Sequence, residues 1–270
     1  EAALAGVLRR LEGRVLLETN ESGAVAPAAA SASLIEATNV FDKRFGYFRI
    51  GAMEAGVSQA FAAALDQQGH PNRLEGLILD LRFAGGSSYT DAGRLADLFV
   101  NEDRLLLRWG AETARSTAKT NAFTSPVAVL VNAETSGAAE ALAAVLREVR
   151  TGLLIGGPTA GRAGVFQEFP LNSGRRLLMV TSHVELGSGG KMPQGGLVPD
   201  IAVAVSAEDE RLYLADPYRS VERPAILGGR PGDSATGTNR PARLNEADLV
   251  RMRREGIFLT EEELALAPPR

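Results

Sequence analysis

"VAVLVNAETSGAAEALAAVL", residues 127–146, decides the fold. Residues 127–131 are wholly apolar and short, the signature of a buried β-strand. Thr135, Ser136 and Gly137 break that run. Small residues follow, and then Leu142, Val145, Leu146 and Val149 recur at intervals of three and four. That spacing predicts a helix with one buried face. A strand turning tightly into a helix is the repeating half of a parallel βαβ unit.

Working outward, the same grammar recurs. "FGYFRIG" (45–51) predicts a strand, and Val57, Phe61, Ala64 and Leu65 fall on one face of a helix after it. "GLILDLR" (76–82) is an almost wholly apolar strand, of the kind covered on both faces. "FAGGSSYT" breaks the chain, and Leu95, Leu98 and Phe99 mark another helix. "GLLIGG" (152–157) is a further strand. "GVFQEFPL" and "RRLLMVTSHVEL" bracket Asn172, Ser173 and Gly174, which signals a hairpin. The alternation predicts an α/β domain with a mainly parallel sheet over residues 45–205. Residues 1–44 read as a strand and loop segment, with a possible strand at 13–19 and a small-residue loop at 22–33. Residues 206–270 read as an extension holding a Gly/Pro/Arg-rich linker at 228–243. Two short helices are expected after it, one capped by Asn245 and one by a Thr260–Glu263 capping box.

Composition narrows the chemistry. The 270 residues are 45% hydrophobic with a net charge of −4, enough for a sizeable core and without a basic surface for nucleic acid. No apolar run approaches the roughly 20 residues of a membrane-spanning helix. Cysteine is absent, which excludes disulfides, thiol nucleophiles and cysteine metal sites. His70 and His183 are the only histidines, too few for an expected zinc site, and each reads more naturally as an ordinary surface or strand residue than as a triad member. No metal and no cofactor are expected. The chain starts at Glu1 rather than Met, so a leader ahead of it is not visible.

Five segments, in order, resemble the C-terminal processing peptidases, or tail-specific proteases. "GYFRIG" resembles the strand before that family's first core helix. "GLILDLRFAGGS" resembles its "LDLRxNPGG" segment, and "VAVLVNAETSGAAEALAAVL" resembles "VLVNxxTASASEILAGAL". "GLLIGGPTAGRAGVFQ" resembles "ALVVGEPTFGKGxVQ", and "SGGKMPQGGLVPDI" resembles the closing "PxGxxIxGxGIxPDI". The resemblance covers roughly residues 45–203. It implies a Clp-protease/crotonase-like core with a parallel sheet, a β-hairpin and flanking helices, and no PDZ module is recognisable. It also implies a periplasmic or secreted location and protein or peptide C-termini as partners. Oligomeric state is left open.

The family uses a Ser–Lys dyad. Aligning Glu140 with the family glutamate places Gly137 at the nucleophile position. Aligning "GPTAGR" with "EPTFGK" places Arg162 at the lysine position. The two stand 25 residues apart, the family's own spacing, although one extra residue lies between Arg162 and Gln167. Glycine has no hydroxyl to acylate. A guanidinium stays charged where a buried lysine can be neutral, so it makes no base. The family's oxyanion hole falls on the backbone of Gly85, Gly86 and Ala138. With Arg162 and a helix N-terminus, these suggest an anion-binding pocket. Arg162 equally suits a structural ion pair with Glu140 or Asp80. Ser136 and Ser88 are alternative nucleophiles, though Ser136 reads more simply as a helix-cap or turn residue and Ser88 as a turn residue. Lys43, Lys119 and Lys191 are the only lysines, and none occupies the motif position. Three readings stand: a catalytically inactive relative with a peptide- or carboxylate-binding cleft, a serine endopeptidase with a displaced nucleophile, or a small-molecule carrier on the same fold.

Overall fold

The computed structural model describes residues 15–18, 34–68, 74–171 and 176–215. The element order is β1 (Val15–Glu18), β2 (Ile35–Phe41), β3 (Phe45–Ile50), α1 (Val57–Gln67), β4 (Gly76–Asp80), α2 (Tyr89–Asp97), β5 (Leu105–Trp109) and β6 (Glu112–Arg115). It continues with β7 (Val127–Val131), α3 (Gly137–Glu148), β8 (Gly152–Gly156), β9 (Gly164–Pro170), β10 (Arg176–Leu186), β11 (Ile201–Ala202) and α4 (Ala207–Ala215).

A six-stranded sheet in the order β11-β8-β7-β4-β3-β2 forms the centre. All its pairings are parallel except β2 with β3. A second, antiparallel sheet runs β1-β10-β5-β6, with β9 also on β10. The mainly parallel α/β core with its β9–β10 hairpin is therefore present as read from the sequence.

Register explains the core. Phe48, Leu79, Val129 and Leu154 lie side by side across four strands. All four are fully buried, as are Val57 and Phe61 of α1, Leu95 of α2, and Leu142 and Leu146 of α3. Each such side chain contributes roughly 1.5–3 kcal/mol on burial. Helix α3 is buried along Ala138–Leu146, because alanines let it lie close to the sheet.

Strand β4 is covered on both faces as expected, with only Ile78 half-buried, but the sheet's other face opens beyond it. Strand β7 alternates buried and half-buried residues, and Leu153 on β8 is 45% exposed. The outward row Arg49, Asp80, Leu130 and Ile155 is met by α4 at one end only, among the described residues. Elements of the fold also lie outside residues 45–205: β2 before and α4 after. The chain divides into two units, Glu1–Arg219 and Ser220–Arg270. His70, the hairpin tip at 172–175, the loop at 22–33, the linker at 228–243 and the helices expected at Asn245 and Thr260 lie outside the described residues.

Candidate functional site

The C-terminal ends of β4 and β7 meet, as parallel neighbours must. The Ser136 N–H donates to the Ala84 carbonyl at 3.0 Å, and the Ala138 N–H donates to the Gly86 carbonyl at 2.9 Å. Asn132 shapes the turn between them. Its Oδ1 accepts from the N–H groups of Phe83, Glu134 and Thr135, each at 3.1 Å. The Thr135 hydroxyl donates to the Leu81 carbonyl at 2.8 Å. So one amide oxygen fixes both loops, and Gly85, Gly86, Ser136, Gly137 and Ala138 come together as the sequence placed them.

Gly137 is more than a missing hydroxyl. Its φ is +60°, and a Cβ built there would lie 2.3 Å from the Gly86 carbonyl oxygen. Gly86 itself has φ +118°, with its own Cβ position 2.3 Å from the Met53 carbonyl. Both values are left-handed backbone that side chains resist. The turn is thus built around the absence of a side chain at Gly137. The same contact corrects the expected oxyanion hole. The Ala138 N–H is not open to a ligand, because the Gly86 carbonyl occupies it. The bare glycine does not leave the helix end open; a peptide oxygen fills the space.

Arg162 follows a loop fastened from below by Glu140. The Glu140 carboxylate is fully buried. It accepts from the Thr159 hydroxyl at 2.5 Å and from the N–H groups of Gly161 at 3.0 Å and Arg162 at 2.9 Å. Burial raises its pKa, and these hydrogen bonds only partly counter the shift. The Ala160 N–H donates to the Thr135 carbonyl at 2.9 Å, tying this loop to the turn. The Arg162 side chain is exposed. The ion pair foreseen for it does not form: Glu140 takes only its backbone N–H. Asp80 is held by Arg82, with contacts of 2.9 and 2.6 Å, and by the Tyr47 hydroxyl at 2.8 Å.

The two candidate serines separate. Ser88 caps α2: its hydroxyl donates to Asp91 Oδ2 at 2.8 Å and accepts from the Asp91 N–H at 3.3 Å. That hydroxyl is engaged in the cap of α2. Ser136 occupies the N-cap position of α3, in the turn where the sequence suggests a cap or turn residue, and makes no side-chain cap bond. Its Oγ lies half-buried, 3.3 Å from where a Gly85 Cβ would stand. No base reaches it among the described residues. Lys119 is bound to Asp97 at 2.5 Å, Lys43 sits in the β2–β3 turn, and Lys191 lies on the hairpin side, its backbone in a β-bridge with Glu185. His183 lies exposed on β10, opposite Gly164.

Asn132, Thr159 and Glu210 escaped the sequence reading. An Asn three residues before a Thr at a strand end is an Asx-turn signal. Glu210 carries no such signal: its carboxylate accepts from Asn132 Nδ2 at 2.7 Å across 78 residues of chain. Among the described residues, no group of His, Cys, Asp and Glu is placed to hold a metal ion, and no helix is long and apolar enough to cross a membrane.

The model of peptidase family S41 matches residues 44–203. A carboxyl-terminal-processing peptidase of Arabidopsis thaliana is 25% identical over 76% of this chain and 42% of its own length. A carboxy-terminal-processing protease of Bartonella bacilliformis is 30% identical over 72% of this chain and 46% of its own length. The chain thus spans less than half the length of these curated relatives. Among solved structures, a peptidase of Parabacteroides merdae superposes with a TM-score of 0.57 at 19% identity, over 76% of this chain and 75% of that one.

Proposed function

This chain belongs to peptidase family S41, and from that premise we propose that it has left the Ser–Lys reaction behind and keeps the cleft to hold the C-terminal carboxylate of peptide chains. The observation carrying this reading is the left-handed Gly137, whose missing Cβ is replaced by the Gly86 carbonyl. An acyl-enzyme needs a side-chain nucleophile at that point, and none fits. Arg162 supplies a fixed positive charge in place of a titratable amine. Its backbone is braced by Glu140 while its side chain stays exposed, free to accept a planar carboxylate on two parallel N–H groups. The Ser136 hydroxyl adds a donor nearby. A periplasmic or secreted location belongs to the same reading, by analogy with the bacterial relatives.

The test pairs hydrolysis with binding. Unstructured protein and tagged peptides should show no cleavage above a heat-treated control. Free-acid peptides should bind more tightly than their C-terminal amides, and Arg162→Ala should erase that preference, roughly tenfold for one charged pair. Equal binding of acid and amide by the unmodified chain overturns the carboxylate reading. A second reading rests on the uncommitted hydroxyl of Ser136, which would make it a displaced nucleophile. Labelling by a serine-directed phosphonate, lost in Ser136→Ala, would establish that reading instead.

A further inference from the structure

Helix α4 is attached to the domain by charge rather than by an apolar face. It buries no apolar side chain: Leu212 and Tyr213 stay 38% and 44% exposed, and Glu210 is its one buried residue. The hydrogen bond and the ion pair that tie it down both end on the two loops that make the cleft. Glu210 Oε2 accepts from Asn132 Nδ2 at 2.7 Å. Asn132 Oδ1 is the shared acceptor for the N–H groups of Phe83, Glu134 and Thr135. A carboxamide has one oxygen and one NH₂ group, so committing the oxygen to three donors turns the NH₂ the other way, where Glu210 receives it. Without Glu210 that buried donor loses its acceptor. Arg82, itself paired with Asp80, attracts Glu210 as well. The next residue, Arg211, pairs with Glu134 and lies over the Phe83 ring at 4.8 Å. Phe83 has φ +64°, left-handed backbone that a bulky residue keeps only where its surroundings hold it. Phe83 stands two residues before Gly85, and Glu134 two before Ser136.

We propose that Glu210 and Arg211 are positioning residues of the cleft: from α4 they hold the β4–α2 and β7–α3 loops in register, so that release of α4 loosens Gly85, Gly86 and Ser136–Ala138 together. Glu210 acts through Asn132, and Arg211 acts through Glu134 and Phe83. Their shares are unequal. The Arg211–Glu134 pair is about half exposed on both sides, where ion pairs are weak and screened by salt. The buried Glu210–Asn132 bond is shielded from both effects. An element held in this way opens locally at less cost than the core unfolds. The inference stands on the geometry of the two loops and not on which ligand the cleft holds.

Amide hydrogen exchange on the full chain reads this positioning without any ligand. In Glu210→Ala the N–H groups of Phe83, Glu134, Thr135, Ser136 and Ala138 should exchange at least roughly tenfold faster, the scale of one hydrogen bond to a charged group, while those of β4 and β7 keep their rates. Glu210→Gln keeps an acceptor for Asn132 and should restore slow exchange. Arg211→Ala should speed Phe83 and Glu134 only a few-fold, and added salt should do the same to the unmodified chain. Unchanged exchange at the five amides in Glu210→Ala, equal acceleration in β4 and β7, or no rescue by glutamine would each overturn the proposal. If Glu210→Ala does not fold, Arg211→Ala and the salt series decide, and no change at Phe83 and Glu134 in either overturns it. Binding of free-acid peptides is a second readout that rests on the carboxylate reading: affinity should fall in Glu210→Ala and return in Glu210→Gln. An unmodified chain that binds acid and amide alike defeats that reading, and the exchange rates then decide the positioning by themselves.

Discussion

Helices α2 and α3 begin alike and end up with opposite roles. Each starts after a glycine-bearing turn, each has serine at its N-cap, and each carries an acid in its first turn. In α2 the acid, Asp91, is three residues past the cap: the Ser88 hydroxyl accepts from the Asp91 N–H and donates to its carboxylate, and Ser58 adds its hydroxyl at 2.5 Å. In α3 the acid, Glu140, is four residues past the cap. That places it one position beyond reach of Ser136, and it turns to the 159–162 loop instead. The shorter spacing thus engages the serine hydroxyl in α2, and one added residue leaves it uncommitted in α3. The acids respond differently too. Burial is the largest influence on both and raises each, but hydrogen bonds from Ser58 and Ser88 leave Asp91 below its ordinary value, while Glu140 stays above.

The comparison breaks most severely at Glu140. Glu140→Ala leaves the N–H groups of Gly161 and Arg162 and the Thr159 hydroxyl without their acceptor. Unsatisfied buried groups cost roughly 1–3 kcal/mol each, so a loss of about 3 kcal/mol or more is expected from urea unfolding. Glu140→Gln keeps an oxygen acceptor and should lose less. A midpoint for the alanine variant close to that of the unmodified chain would show that the loop does not depend on this carboxylate.

Next in size is the attempt to rebuild the dyad. Gly137→Ser forces a Cβ into left-handed backbone against the Gly86 carbonyl, at a cost on the order of 1–3 kcal/mol. Gly137→Ser with Arg162→Lys is therefore expected to be less stable than the starting chain and to release no product from tagged peptides. Turnover by the double variant would mean that the turn relaxes into a working geometry.

These two cases mark what the sequence disclosed. The strands at 76–82, 127–132 and 152–157 were legible because their inward residues are continuous apolar runs. Strand β2 was not, since four of its seven residues in a row are exposed and carry no alternation. Strands β5 and β6 escaped because β5 offers only the three-residue run Leu105–Leu107, β6 offers none, and their pairing turns on Gly110 (φ +60°). Helix α4 has too weak an amphipathic pattern to announce itself. At the site, resemblance singled out Gly137 and Arg162, and the Ala160–Thr135 bond ties their two loops together. Spacing cannot show which way a carbonyl points, so the Gly86–Ala138 bond, the Glu140 brace and the Asn132–Glu210 link became visible only in three dimensions.

The two acids should also separate by pH. Asp91 has its pKa lowered from 3.8, so its stabilisation is complete above that value and drains away as pH falls through the folded one. Glu140 has its pKa raised from 4.5, so its contribution is present below that value and is lost as pH rises through the folded one. Thermal unfolding from pH 7 to 3 should accordingly show Asp91→Asn flattening the most acidic limb. Glu140→Gln should instead remove a gain on the way down toward pH 4.5. Matching pH profiles for the two variants would contradict the opposite shifts.

The smallest effects come from the serines themselves, and there the contrast is sharpest. Ser88→Ala deletes both halves of a reciprocal cap and should cost about 1 kcal/mol. Ser136→Ala deletes a hydroxyl with no cap bond, beside a glycine that presents no side chain, so its stability change should stay within about 0.5 kcal/mol. Any consequence of Ser136→Ala should therefore appear in binding, as a few-fold loss of affinity for free-acid peptides with none for their amides. Measuring both serine variants by urea unfolding and by calorimetry puts the distinction on one scale. If Ser136→Ala unfolds as readily as Ser88→Ala, its hydroxyl is a structural cap, and the carboxylate site must stand on Arg162 alone.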